Sequence, residues 1–345
     1  MKANGEFTDN KIIIHKSKEV GRFFNKSHLG KTIAGNRLEL SLLEGVFLIG
    51  EEKLRVYHDE KEISFQELLK IASKKISNFE IKYLIFNDLR KRGNNVQTCK
   101  KNEIFDFYID KKNCYISAFY ERNIIDIDRI QKLIENSKRK NKLLWFAVVD
   151  EEGDITFYEV NKTNIKGKIR DHKFLKTSAM LLDNSVIVTD KKTASELFNK
   201  EFFGKPFGDL IQLSMVESLY LMQKKIIELR NAKNDKKISL RNFIVIIKKA
   251  QPEIESILAV FKDLKKRGLI VKTGFKFGAH FRGYTKKPEE THAEYLIHVV
   301  NKKYRVIWAE ISRAVRLAHS VNKEIIFAKF EGKNIEYIKF GRLRP

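Results

Sequence analysis

Apolar positions along this chain change period repeatedly, and each change marks an element. From Ala309 to Val321 the residues Ile311, Ala314, Val315, Ala318 and Val321 recur three or four apart, which predicts a helix with one buried face. Arg313, Arg316 and Ser320 then fall on its other side. Apolar helices are predicted over about 38–55 and 210–231, each closing a short opening segment of strands and helices. Another helix is entered through Ser64, with Glu67 at the capping-box spacing; its counterpart starts at Ser239, where Asn242 replaces the glutamate. Two more helices end in Arg92-Gly93 and Arg267-Gly268, where glycine can take the left-handed closing position. The stretch VKTGFKFGAHF and the β-branched run AEYLIHVV are predicted as strands.

These elements come twice. FFNKSHLGKTIAGNRLELSLLEGVFLI (23–49) is echoed by LFNKEFFGKPFGDLIQLSMVESLYLM (197–222), which sets Leu40, Ser41 and Glu44 over Leu213, Ser214 and Glu217. EISFQELLKIASK (62–74) returns as KISLRNFIVIIKKA (237–250), and FNDLRKRGNNVQT (86–98) as FKDLKKRGLIVKT (261–273). NKLLWFAVV (141–149) returns as NKEIIFAKF (322–330). Four collinear blocks define a tandem duplicated unit of roughly 170 residues. The expected class is α/β in the mixed, α+β sense. The expected copies are 1–165 and 170–345, the second divided near 235, with the basic polar stretch 161–176 joining them.

Composition narrows the partner. A net charge of +24, spread along 345 residues with 43% hydrophobic content, implies a folded basic surface and a polyanionic partner, most naturally nucleic acid. The alternative is a solubility or salt adaptation. Cys99 and Cys114 form no CxxC and join no Cys/His cluster, so neither a disulfide framework nor a structural zinc site is expected, and a reducing cytoplasm fits. The start, MKANGEFTDNKIIIHK, is too polar for a signal peptide, and no apolar run reaches membrane-spanning length. No membrane partner is expected.

One stretch, 271–323, gathers candidate chemistry. Cleaving RNA through its own 2′-hydroxyl needs a base, an acid and a cation for the charge that develops on phosphorus. Tyr284, His292 and Lys323 supply suitable groups without a metal or other cofactor, although spacing alone does not bring them together. The segments VKTGFKFGAHFRGY, THAEYLIHVV and ISRAVRLAHSVNK, preceded by DLKKRG, resemble the catalytic-region motifs of archaeal tRNA-splicing endonucleases. The tyrosine after the Phe-Arg pair, the histidine opening the strand and the lysine after His-Ser-Val form that family's catalytic triad. Those positions hold Tyr284, His292 and Lys323 here. Gly283 and Ala293 depart from the family's usual bulkier residue and serine.

The resemblance implies a nuclease-like mixed-sheet C-terminal subdomain in each copy, after a small α/β N-terminal subdomain. It implies excision of introns from precursor tRNA at a bulge-helix-bulge, leaving a 2′,3′-cyclic phosphate and a 5′-hydroxyl, with tyrosine as base, histidine as acid and lysine as stabiliser. It implies that Arg316 and Arg342 grip RNA, stacking on an extruded base. It also matches the acidic tip Asp150, Glu151, Glu152 and Asp154 with a loop that docks into a basic pocket of an opposing unit, the alternative being a solvated turn. Opposite the catalytic segment the first copy offers no histidine. Aligning Tyr115 with Tyr295 sets Lys112 at the His292 position and Tyr108 near Tyr284, while Lys142 matches Lys323. The first copy is therefore expected to be structural, and one intact set per chain implies a symmetric homodimer. Of the other histidines, His298 and His319 are expected to pack or cap, and His280 lies near Tyr284 in sequence. Two rivals stand beside this: a non-catalytic RNA-binding scaffold or accessory subunit, and a metal-dependent nuclease, which needs paired acidic ligands not apparent between Tyr284 and Lys323.

Overall fold

A computed structural model describes residues 2–100, 103–332 and 334–345. The chain divides into two compact units, one of residues 1–160 with 306–311 and 342–345, the other of 161–305 with 312–341.

The first unit opens with a six-stranded sheet in the order Lys31–Ile33, Arg37–Ser41, Lys11–Ile14, Ala3–Thr8, Leu54–His58, Lys61–Ile63. Helices Phe65–Lys75 and Phe79–Lys91 lead to strands Val96–Thr98, Phe107–Ile109, Cys114–Tyr120, Leu143–Val149 and Ile155–Lys162. Cys114–Tyr120 and Leu143–Val149 run parallel, which requires the crossover that helix Ile127–Arg139 supplies. Trp308 is fully buried in this unit against Phe119, Phe146 and Tyr158.

The second unit repeats the plan. Its first sheet runs Lys205–Phe207, Leu210–Leu213, Val186–Val188, Thr177–Leu181, Ile227–Asn231. Helices Leu240–Lys248 and Ile254–Lys266 follow, then strands Ile270–Thr273, Phe281–Tyr284, Tyr295–Asn301, Glu324–Glu331 and Asn334–Leu343, with helix Trp308–Ser320 before the last two. The mixed α/β class and the duplication both hold. Helix Ile254–Lys266 buries Ile257, Val260, Phe261 and Leu264 in the main core, each apolar side chain worth about 1.5–3 kcal/mol of burial. Gly93 and Gly268 close their helices with φ of +80° and +77°.

Three elements differ from expectation. Segment 38–55 is helical only over Leu42–Gly50, between strands Arg37–Ser41 and Leu54–His58; segment 210–231 is likewise helical only over Met215–Gln223. Strand-facing leucines merge into the helix's apolar run and hide the alternation, although Leu38 and Leu40 alone are buried in Arg37–Ser41. The stretch VKTGFKFGAHF is two strands, not one, paired antiparallel with Thr273 opposite Phe281. Between them runs a turn, where a Cβ on Gly274 would meet the Ala279 carbonyl at 2.7 Å and Gly278 takes φ +60°.

Each unit holds a buried glutamate that clasps a helix start to a loop. Glu217, 5% exposed, accepts hydrogen bonds from Ser214 N (2.9 Å), Ser214 Oγ (2.8 Å) and Gly204 N (3.0 Å), and the Lys272 ammonium lies 3.4 Å away. Glu44, 7% exposed, does the same for Ser41 N (2.9 Å), Ser41 Oγ (2.8 Å) and Gly30 N (2.8 Å). Both carboxylates thus cap their own helix and hold a loop glycine whose φ is positive. The echo of Leu-Ser-x-x-Glu between the copies is this clasp. Replacing Glu217 by alanine leaves the buried Gly204 N–H and the Ser214 N–H and hydroxyl without their acceptor, and is expected to lower stability by about 1–3 kcal/mol, read as a lower urea midpoint.

His298 is a packed residue, as its place in an apolar strand suggests. Its ring stacks on Phe327 at 5.4 Å, and His280 lies edge-on at 6.0 Å. Burial, and then the neighbouring His280, pushes the His298 imidazole down to about 4. The folded value lies below the free-histidine value of about 6.5, so the unfolded chain takes up the extra proton first as pH falls. Stability is therefore complete above that window and falls as pH drops from about 6.5 towards 4. The variant His298→Phe should show a shallower loss of stability across that window than the wild type, measured by chemical denaturation at stepped pH.

Candidate active site

Three strand ends meet at one edge of the second unit's C-terminal sheet. Strand Phe281–Tyr284 runs antiparallel to Tyr295–Asn301, with Gly283 opposite Tyr295, and finishes at Tyr284. Strand Glu324–Glu331 runs parallel to Tyr295–Asn301, with Glu324 opposite Tyr295. Hence His292, three residues before Tyr295, and Lys323, one before Glu324, both belong to segments entering the sheet where Tyr284 leaves it. Glu294 stitches them, its N–H donating to the Gly283 carbonyl (3.1 Å) and its carbonyl accepting from Glu324 N (2.8 Å).

The side chains differ in surroundings. Tyr284 is 9% exposed and packs on Phe202, Ile270 and Ala293, at the wall of a cleft of about 890 Å³ that Pro206, Gln212 and Arg282 also line. His292 is exposed on the loop 285–294. Lys323 is half-buried; its ammonium donates to the Val321 carbonyl at 3.2 Å and stands 5.6 Å from the Phe277 ring centre. Among the described residues no hydrogen bond or ion pair joins these three side chains to one another, and Lys323 meets no carboxylate. The arrangement offers a phenol, an imidazole open to solvent and an ammonium that an anionic phosphate can approach. Among the described residues no group of three or more His, Cys, Asp or Glu could hold a metal ion.

Arg282, which the spacing did not single out, lines the same cleft as Tyr284. Its guanidinium lies 6.0 Å from both the Tyr284 and the Phe277 ring centres, and its Nε donates to the Thr273 carbonyl at 2.9 Å. It thereby links the tyrosine to the aromatic ring beneath Lys323. The Phe-Arg pair of the motif was its signal. His280 is turned to structure, its Nδ1 accepting from Val299 N at 3.1 Å while burial lowers its imidazole. His319 is exposed in the last helical turn. Arg316 is exposed on helix Trp308–Ser320, on the face with Arg313 and away from the buried Ile311, Val315 and Ala318. Arg342 is exposed near the end of strand Asn334–Leu343 and falls in the first unit.

The first unit shows the same strand ends without the loop. Leu143 N donates to the Asn113 carbonyl at 2.9 Å, the counterpart of Glu324 N to Glu294. This register matches Lys142 with Lys323 but shifts the rest: Cys114, not Tyr115, answers Tyr295, and Tyr108 answers Arg282, two residues before Tyr284. The alignment of Tyr115 with Tyr295, and of Lys112 with His292, is thereby corrected, because a sequence match has no ladder to fix it. Only the turn Asp110–Asn113 separates the strands that the second unit joins through 285–294, so no loop exists to present a histidine. Lys142 is engaged, donating to Asn113 Oδ1 at 3.0 Å and to the Tyr108 hydroxyl at 3.3 Å. Tyr108 in turn donates to Asp110, which raises its phenol above the ordinary range. Lys112 sits 5.3 Å over the Trp145 ring.

The acidic tip is a tight turn between Leu143–Val149 and Ile155–Lys162. Asp150 is spent inside it, its Oδ1 accepting from Glu152 N (3.0 Å) and Asp154 N (2.9 Å), with Gly153 at φ +87°. Glu151 pairs with Arg122 at 2.6 Å. Glu152 and Asp154 are exposed acids.

Comparison with known proteins agrees with this anatomy. The family described as tRNA intron endonuclease, catalytic C-terminal domain, matches residues 254–337, which include Tyr284, His292, Arg316 and Lys323. The corresponding N-terminal domain matches twice, at 3–69 and 177–244. A tRNA-splicing endonuclease of Methanococcoides burtonii is 32% identical over 98% of this chain and 99% of its own length. One from Methanosarcina barkeri is 33% identical over 96% of this chain and 97% of its own. One from Methanothermobacter thermautotrophicus is 34% identical along 100% of its own length and covers 50% of this chain. With near full-length similarity and both domain types present, the chain belongs to the tRNA-splicing endonuclease family.

Proposed function

We propose that this protein excises introns from precursor tRNA, cutting at a bulge-helix-bulge by attack of the RNA's own 2′-hydroxyl. The observation that supports it most is the convergence of three strand ends that bear Tyr284, His292 and Lys323 on a strongly basic chain. In the reaction the 2′-oxygen bonds to phosphorus while the bond from phosphorus to the 5′-oxygen breaks. Tyr284 takes the 2′-proton, His292 protonates the departing 5′-oxygen, and the Lys323 ammonium faces the oxygens on which charge gathers. The products are a 2′,3′-cyclic phosphate and a 5′-hydroxyl, with no water or metal entering the step. Exposure of His292 suits a group that must meet substrate, and among the described residues Lys323 pairs with no carboxylate, which leaves its charge for phosphate. Arg316 and Arg342 would hold RNA, either on a phosphate or stacked on an extruded base.

Excising an intron takes two cuts, and each chain holds one such set, so the working form is a homodimer related by a twofold axis. Each acidic tip would dock on the partner chain, through Glu152 and Asp154, while Asp150 keeps the turn rigid. The first copy, with Lys142 tied to Asn113 and Tyr108, serves as the structural half.

Incubation with a bulge-helix-bulge RNA in EDTA should give two cuts with cyclic-phosphate and 5′-hydroxyl ends; a strict need for a divalent ion would sink the mechanism. His292→Ala should lower the cleavage rate by about 10²–10⁴-fold with RNA binding retained, the range for loss of a general acid. The double change Glu152→Lys and Asp154→Lys should yield monomers in sedimentation; an unchanged dimer would remove the tip from the interface.

A further inference from the structure

Glu294 is bound to every segment that bears a member of the proposed triad. Its backbone N–H holds the strand ending at Tyr284, and its carbonyl holds the strand that follows Lys323. Its side chain adds a third link. One carboxylate oxygen accepts from Thr285 N at 2.9 Å and the other from Thr285 Oγ1 at 2.6 Å. Thr285 and Glu294 are the first and last residues between strands Phe281–Tyr284 and Tyr295–Asn301, so the contact shuts the mouth of the loop that presents His292. Within that loop Lys286, Lys287, Glu289, Glu290 and His292 are exposed, and they bring no core contacts to steady it. The Thr285 carbonyl is anchored in turn by Lys168 N at 3.0 Å.

The first unit supplies a comparison. There the matching residue is Asn113, which makes the same backbone bond to the following strand but uses its side chain differently. Asn113 Oδ1 accepts from the Lys142 ammonium at 3.0 Å, and Nδ2 donates to the Asn141 carbonyl at 2.8 Å. In the second unit both oxygens of Glu294 are turned to Thr285, and among the described residues the lysine that corresponds to Lys142 hydrogen-bonds only a carbonyl. The side chain at this position thus meets the neighbouring lysine in the first unit and closes a loop in the second.

We propose that Glu294 is the positioning residue of the cleavage site: by clasping Thr285 it fixes the spacing between Tyr284 and His292 while leaving Lys323 unpaired. This rests on the function proposed above. Glu294 acts through the loop and touches no reacting atom. Holding acid and base in register matters because a misplacement of about 1 Å can cost on the order of 10²-fold in rate.

The test uses the full-length protein and a bulge-helix-bulge RNA. Glu294→Ala should lower kcat by about ten- to a hundredfold with KM nearly unchanged. Glu294→Gln should restore most of the rate, since an amide can accept from Thr285 N and donate to Thr285 Oγ1. Thr285→Val should also slow the enzyme, and combining it with Glu294→Ala should be no worse than Glu294→Ala alone, because both remove one contact. Hydrogen exchange of the unliganded protein should show faster exchange within 286–293 in Glu294→Ala, whether or not RNA is cut. A Gln variant as slow as the Ala variant, multiplicative effects in the double variant, a loss confined to KM, or unchanged loop exchange would each overturn the proposal. If wild-type protein fails to cut, the function above falls, while the exchange measurement still decides whether Glu294 closes the loop.

Discussion

Everything proposed for this protein depends on one pairing, the parallel ladder between Tyr295–Asn301 and Glu324–Glu331. Parallel neighbours start at the same end of a sheet, and the chain must cross back over the sheet to begin the second strand. Helix Trp308–Ser320 makes that return, with buried Val315 and Ala318 on its inner side. The antiparallel neighbour Phe281–Tyr284 then has to finish where the other two begin. A tyrosine, a histidine and a lysine far apart in sequence reach one edge because of strand direction, before any side-chain contact is made.

The two units differ little at the edge where cleavage is proposed for the second. Strand order, ladder register and the crossover helix are shared, and so is the lysine. In the first unit the ammonium of Lys142 is held by Asn113 and Tyr108, and the tyrosine is itself tied to Asp110. In the second unit the acidic group beside the lysine is occupied elsewhere. Both units keep the same buried glutamate clasp in their N-terminal parts, Glu44 and Glu217, which points to shared demands for folding and separate fates for the edge.

Much of this was legible in the sequence, and the parts that were not have physical causes. The duplication, the mixed class and the helix bearing Arg316 followed from repeats and from apolar spacing. The capping serines at 64 and 239 showed themselves because a cap is local, and both accept the expected N–H. The short strands around Leu42–Gly50 and Met215–Gln223 were lost, since Leu38 and Leu40 alternate for only one turn of the pattern before the helix begins. Arg282 and Glu294 escaped notice because their partners, Tyr284, Phe277 and Thr285, are set by strand pairing rather than by helical spacing. The pairing of Tyr115 with Tyr295 slipped by one for the same reason: sequence similarity tolerates a shift that a hydrogen-bond ladder does not.

The turn Asp110–Asn113 also constrains how this chain can change. Point mutations alter side chains freely, but they do not lengthen a connection between two strands. A histidine written into that turn would sit on a tight bend with Asn113 in the left-handed region, not on a loop able to reach a substrate. Recovering a second site would take an in-frame insertion together with a new clasp to hold it, steps without benefit until both are present. The two halves thus differ in length where their strand ends match. Drift in the first half can reshape its surface, but it does not lead back to symmetry.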